Sequence, residues 1–338
     1  MQLVLDTKGL QLTKKRQSFL VSDDKENKQI SPNKVTSIAI TQNVLLSADA
    51  VQLAIKHQIP ILFFDKIGKA KARLWSPYFE SIATLRRQQV KFSEGTEATQ
   101  WVIEVFQLKT EHQLQNLKYL KNRKSAQKGR LDKAIGQIIH QAKQFEVYKD
   151  VLIGDARNHL MGIEGGIAKT YFQALSPCLP EEYRFEKRSR RPAKDRFNAT
   201  LNYYYGMLYT IVEGALFAAG LDPHLGILHT DEYKKPVLAF DLIEVFRPWV
   251  DALLLDICLK EELLKSFFTS NQHGMFLNKS GKRVLIPRFN GWLRDKRRFN
   301  QEDASTRNHI YKVAGLLARR IRGKEVEEED TFTDENEV

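Results

Sequence analysis

The chain has 338 residues, enough for one large core or two modest ones, and its 53 lysines and arginines against 41 aspartates and glutamates leave a net charge of +12. The excess is uneven: residues 324–338 carry eight acids and one base, a net of −7, so residues 1–323 carry +19. Such a surface concentrates polyanions, nucleic acid first among them, while two widely spaced cysteines, Cys178 and Cys258, give no sign of a disulfide framework or a cysteine-based zinc site.

Residues 1–78 read as a small β-rich domain. QLVLD, LQLT, SFLVS, VTSIAIT and IPILFFD are short and apolar or β-branched, and turn residues such as Lys8-Gly9 and Ser31-Pro32-Asn33 break them apart. Between the last two, SADAVQLAIKHQ predicts one short helix capped by Ser47. The opening MQLVLDTKGLQLTKKR mixes acids and bases, and no apolar run reaches the roughly eighteen residues of a membrane span. The expectation is a soluble, cytoplasmic protein without a signal peptide.

After Trp75-Ser76-Pro77 the period changes to that of helices. Residues 79–100 read as a linker and the start of the first long helix, 101–323 as an almost wholly α domain interrupted by prolines, and 324–338 as a disordered acidic tail. The predicted class is therefore α+β, a β-rich domain with one short helix followed by a larger helical one. No internal repeat is present. Basic residues cluster at 118–130, 184–196 and 282–298, the last interleaved with Phe289 and Trp292. Candidate phosphate contacts are Arg190, Arg191, Lys194, Arg247, Arg288 and Arg294. A run of charge on a helix is also, more often, a solvated face.

Three polar positions lie in apolar settings: Glu164 in LMGIEGGIAKTYF, His229 in GILHTDE, and Glu244 with Asp241 in AFDLIEVFRP. Burying a carboxylate demands a cation or hydrogen-bond donors. A divalent metal is one answer, and carboxylates with one histidine suit Mn²⁺ or Mg²⁺. A core arginine is the other, and Arg247 stands ready. If DLIEVF is helical, Asp241 and Glu244 share a face.

These segments, together with RSRRPAKDRFNATLNYYYGMLY and GLDPHLGILHTDEYKKPVLAFDLIEVFRPWVD, resemble the CRISPR-associated adaptation integrases over roughly residues 1–323. By that resemblance Glu164, His229 and Glu244 are the catalytic metal ligands, with Asp241 as an auxiliary acid behind them. The RRPAKDRFNATLNYYYG signature places Arg191, Pro192, Asp195, Asn198, Asn202 and Gly206; we read it as structural support, with Asp195 capping a helix that opens at FNAT.

The resemblance implies a metal-dependent endonuclease and integrase using Mn²⁺ or Mg²⁺, which inserts DNA fragments as spacers into a CRISPR array by attack of a 3′-hydroxyl on a phosphodiester. It further implies double-stranded DNA as substrate, a homodimer formed through the β domain, and a small ferredoxin-like adaptation partner. Two other readings compete: a non-catalytic DNA-binding scaffold, in which the same acids merely satisfy core arginines, and a general branched-DNA repair nuclease.

Overall fold

Short apolar runs separated by turns become two four-stranded sheets in the computed structural model, which describes residues 2–23, 26–35, 37–40, 42–57, 59–64, 70–74, 82–233, 235–272 and 274–323. The chain divides into two units, Met1–Ser81 and Ile82–Val338.

The first unit comprises β1 (Gln2–Leu5), β2 (Gln11–Lys15), β3 (Ser18–Ser22), β4 (Asn27–Ile30), β5 (Ser37–Ile40), β6 (Leu45–Leu46), α1 (Ala48–Lys56), β7 (Ile61–Phe64) and β8 (Ala70–Leu74). One sheet runs β1-β5-β7-β8, parallel except for β8, with Ile38 opposite both Leu3 and Ile61. Its central strand β5 is buried throughout, as a parallel strand covered on both faces should be. The other runs β4-β3-β2-β6, antiparallel except for the β2–β6 pair. Leu5, Leu12, Phe19, Ile38, Leu53 and Ile61 fill the core of this unit. Ser47 caps α1 as expected, its hydroxyl accepting from Ala50 N at 3.2 Å. The strands that the pattern does not announce, β4, β6 and β8, all lie at sheet edges, where polar sequences such as NKQI are tolerated.

The second unit is mostly helical: α2 (Ile82–Phe92), α3 (Thr96–Arg123), α4 (Lys128–Ala142), α5 (Ile153–Leu175), α6 (Arg196–Ala218), α7 (Val237–Leu242) and α8 (Arg247–Leu259), then β9 (Phe268–Asn271), β10 (Gly274–Leu277), α9 (Lys279–Arg294), β11 (Lys296–Phe299), β12 (Glu302–Ser305) and α10 (Thr306–Ile321). The class is thus α+β as expected. Within 79–100, where helical period begins, lie α2 and the start of the long helix α3. One detail differs: the helical part carries two hairpins, β9–β10 and β11–β12, too short for a period of two to stand out.

With no glycine or proline over its 28 residues, α3 packs against α4, α5 and α8. Helix α6 packs against α8 and α10. Gly274 lets the β9–β10 hairpin settle on the signature loop: a Cβ there would meet Pro192 Cβ at 2.5 Å, and Met275 N donates to Ala193 O at 2.9 Å. Both cysteines are buried free thiols. The expected acidic tail lies outside the described residues.

Candidate active site

Glu164 follows Leu160 by four residues and precedes Ile167 by three, which sets it at the edge of the buried stripe of α5. Glu244 lies in a 3-10 turn, 243–245, that follows α7. Both carboxylates reach the same atom. Lys109, on the buried face of α3 among Val105, Phe106 and Gln113, contacts Glu164 Oε1 with its ammonium and Glu244 Oε2 at 2.5 Å. The other Glu244 oxygen accepts from Arg247 Nη1, and the Arg247 guanidinium lies over the Tyr205 ring, 5.2 Å from its centre. Burial alone would push the Lys109 ammonium down, but the Glu244 and Glu164 charges outweigh it and hold its proton above the usual lysine range. Burial likewise pulls Glu244 up, and Arg247 and Lys109 together bring its carboxyl below the ordinary value.

Asp241 turns elsewhere. Its carboxylate, 2% exposed, accepts from the backbone N–H groups of Ile227, Leu228 and His229 at 2.9, 3.0 and 3.1 Å, and contacts His229 Nδ1 at 2.6 Å. The turn that presents these amides depends on Gly226, where a Cβ would lie 2.1 Å from His229 O. Pro223 O closes the loop by accepting from Leu238 N at 2.9 Å. The bond to Asp241 raises the His229 pKa against the effect of burial. With Nδ1–H donated to Asp241, the neutral imidazole keeps its lone pair on Nε2. The DLIEVF segment is helical, α7 running into the 243–245 turn; from it Asp241 reaches the His229 loop and Glu244 reaches Lys109 on α3.

The signature segment is a brace. Asp195 caps α6 by accepting from Asn198 N at 2.7 Å. Asn198 accepts from Arg188 Nη1 and donates to Lys187 O at 3.1 Å, while Asn202, one turn later, accepts from Arg188 Nη2 at 2.9 Å and donates to Arg190 O at 2.7 Å. Beneath it Tyr205 donates to Asp251 Oδ1 at 2.5 Å, and burial raises that carboxyl to about 6.

The place between Glu164 and Glu244 suits a cation, since an ammonium fills it. Two carboxylates offer hard oxygen donors, and the imidazole of His229 is near enough to Glu244 for their charges to act on one another. This donor set fits Mn²⁺ or Mg²⁺ better than a thiophilic metal. As the side chains stand, no three histidines, cysteines, aspartates or glutamates among the described residues are gathered to hold an ion; Lys109 takes that position.

Of the proposed DNA contacts, Arg190, Arg191, Lys194 and Arg294 are exposed, Arg288 is paired with Glu262 at 2.6 Å, and Arg247 is turned inward onto Glu244. Arg190 and Arg191 rim a cavity of about 720 Å³ together with Tyr203, Phe276 and Lys282. No described helix is long and apolar enough to cross a membrane.

The family described as "CRISPR associated protein Cas1" matches residues 3–291. The chain belongs to the CRISPR-associated Cas1 family. A CRISPR-associated endonuclease Cas1 of Archaeoglobus fulgidus is 32% identical over 298 residues, 85% of this chain and 86% of its own. Among solved structures, a casposase bound to integration product aligns with a TM-score of 0.68 at 23% identity, covering 100% of this chain and 99% of its own. A partial Cas6-RT-Cas1–Cas2 complex aligns at 0.71 with 21% identity, covering 96% of each chain. These two likenesses show that the fold is shared with both structures.

Lys109 and Asp251 escape the sequence reading. Lys109 falls in phase with the apolar stripe of α3, three residues after Phe106, and a lysine in phase with such a stripe marks a buried cation. Asp251, in WVDALLLDI, carries the same kind of mark on α8.

Proposed function

We propose that this member of the Cas1 family is a metal-dependent DNA endonuclease and integrase that inserts DNA fragments as new spacers into a CRISPR array. The observation that carries the reading, within a chain of this family, is the convergence of Glu164 and Glu244 from separate elements on one cation position. Glu164, His229 and Glu244 would hold Mn²⁺ or Mg²⁺. When bound, the ion would polarise the scissile phosphodiester and favour the attacking 3′-oxygen. Asp241 holds His229 in one tautomer and orientation. Arg247 supplies positive charge where the transition state gathers negative charge. The 3′-hydroxyl of the incoming strand forms the new bond to phosphorus, the bond to the target's 3′-oxygen breaks, and that oxygen takes up the proton. One phosphodiester replaces another, so no nucleotide hydrolysis is needed.

The partners follow the same reading: double-stranded DNA, a second copy of this chain through the β-rich unit, and a small ferredoxin-like adaptation protein. The Cas1–Cas2 complex and the casposase with its integration product support it by analogy. Attack at the two ends of a repeat calls for two sites at fixed separation, which a dimer provides.

The scaffold reading is favoured by one observation, that Lys109 and Arg247 already satisfy Glu244. Strand transfer separates the two. A short duplex with free 3′ ends, a repeat-bearing plasmid, Mn²⁺ and the partner protein should give joined product with wild type and none with His229→Ala. Wild-type protein that binds DNA yet neither joins nor cuts it would put the scaffold first; cutting of branched DNA without preference for repeat ends would favour a repair nuclease.

A further inference from the structure

Lys109 is the best-enclosed cation of the site. Its side chain is 7% exposed, and it draws one oxygen from each of two carboxylates, Glu164 Oε1 and Glu244 Oε2, onto a single atom. Taken at formal charge, Glu164, Glu244, Lys109 and Arg247 sum to zero, so the group is electrically complete without any other ion. A divalent metal bound to the same oxygens would stand within roughly 2.0–2.6 Å of them, the space the ammonium now fills. Two cations cannot share it at those distances. The lysine stem is long and flexible, and the Glu164 side chain, 24% exposed, leaves one flank of the site open to solvent.

Building on the metal reading above, we propose that Lys109 is an internal counter-ion that a divalent metal must displace, so that loading of the site is a cation exchange. In the metal-free protein the ammonium keeps two carboxylates together that would otherwise repel each other and spread. On loading, it leaves their shared oxygens. With the divalent ion in place of the ammonium, the net charge of the group rises from zero to +1, a charge suited to a DNA backbone. The binding-competent arrangement, with Lys109 swung aside, is a minor state of the metal-free protein, and apparent metal affinity is lowered by its small population.

Calorimetric titration with Mn²⁺ tests this on the full chain. Lys109→Met should bind Mn²⁺ at least about tenfold more tightly than wild type, because the competing state is gone. Its metal-free melting temperature should fall, and Mn²⁺ should raise it by more than it raises that of wild type. A folded Lys109→Met with unchanged or weaker Mn²⁺ affinity overturns the exchange while leaving the metal reading intact. No Mn²⁺ uptake by either protein overturns both. If Lys109→Met does not fold, lysine-selective ¹⁵N spectra of wild type decide: the protected Lys109 Nζ signal, assigned with Lys109→Arg, should vanish as Mg²⁺ is added. Its persistence at saturating Mg²⁺ refutes the exchange.

Discussion

Asp241 and Glu244 stand three residues apart, 2% and 5% exposed, and they are neutralised by different means. Asp241 is met by three backbone N–H groups and an imidazole, partners fixed by the chain's own path. Glu244 is met by an ammonium and a guanidinium, each on a flexible stem. Fixed dipoles cannot leave, so the Asp241 half presents His229 in one geometry whatever else is bound. Side-chain cations can leave, so the Glu244 half admits a change of occupant. A site that must be both ordered in advance and open to an incoming ion needs one half of each kind.

The largest expected effect breaks the exchangeable half. Glu244→Ala leaves Lys109 and Arg247 short of their shared counter-charge in a buried setting and should cost about 3–5 kcal/mol in urea unfolding. Glu164→Ala, at a position 24% exposed and with Lys109 still held by Glu244, should cost about 1 kcal/mol. Adding Lys109→Met to Glu244→Ala should recover more than about 1 kcal/mol, because the offending charge goes with it. Asp241→Ala has no such rescue, since three of its four partners are main chain. Equal losses from both glutamates, or no recovery in the double variant, would show that the cations are not what neutralises this half.

A third buried carboxyl sharpens the contrast. Asp251 has the hydroxyls of Tyr205, at 2.5 Å, and Tyr171, but among the described residues neither a row of amides nor an ion-paired cation, and burial raises it from 3.8 to about 6. Between those values the folded protein holds a proton that the unfolded chain has released, so stability falls as pH rises through the window. The full cost is present above the folded value. Two units correspond to about 3 kcal/mol. The unfolding free energies of wild type and Asp251→Asn in urea should therefore diverge by about that much between roughly pH 4 and pH 7, wild type losing ground as pH rises. Parallel profiles would mean that Asp251 is ionised at no cost.

How much of this was legible depended on range. The two-part class, the Ser47 and Asp195 caps and the buried character of Glu244 and Asp241 rest on local pattern, and pattern sufficed. The edge strands were not legible, because partial burial leaves polar residues in place. Of Glu244's two cationic partners only one was legible. Arg247, three residues on, was the visible candidate and does meet it, whereas Lys109 lies 135 residues earlier on α3 and meets Glu244 only through packing of α3 against the 243–245 turn. The three backbone N–H groups on Asp241 were not legible either, because they come from the 227–229 turn, which only the folded chain brings beside α7.

The smallest expected effect probes the fixed half through its imidazole. His229 holds its proton above the ordinary value of 6.5, chiefly because Asp241 accepts from it. If His229 is a ligand, a metal needs its neutral form, so proton and metal compete. Mn²⁺ affinity should then climb by up to about tenfold per pH unit below the His229 pKa and level off beyond it. Since that pKa is raised, the climb should be centred above pH 6.5. Asp241→Asn removes the charge behind the shift while keeping an oxygen on the loop, so the climb should move to lower pH. A midpoint that stays put would show that Asp241 does not tune the imidazole. Affinity that is flat with pH would remove His229 from the ligand set and leave the amide-held half as a support for the loop alone.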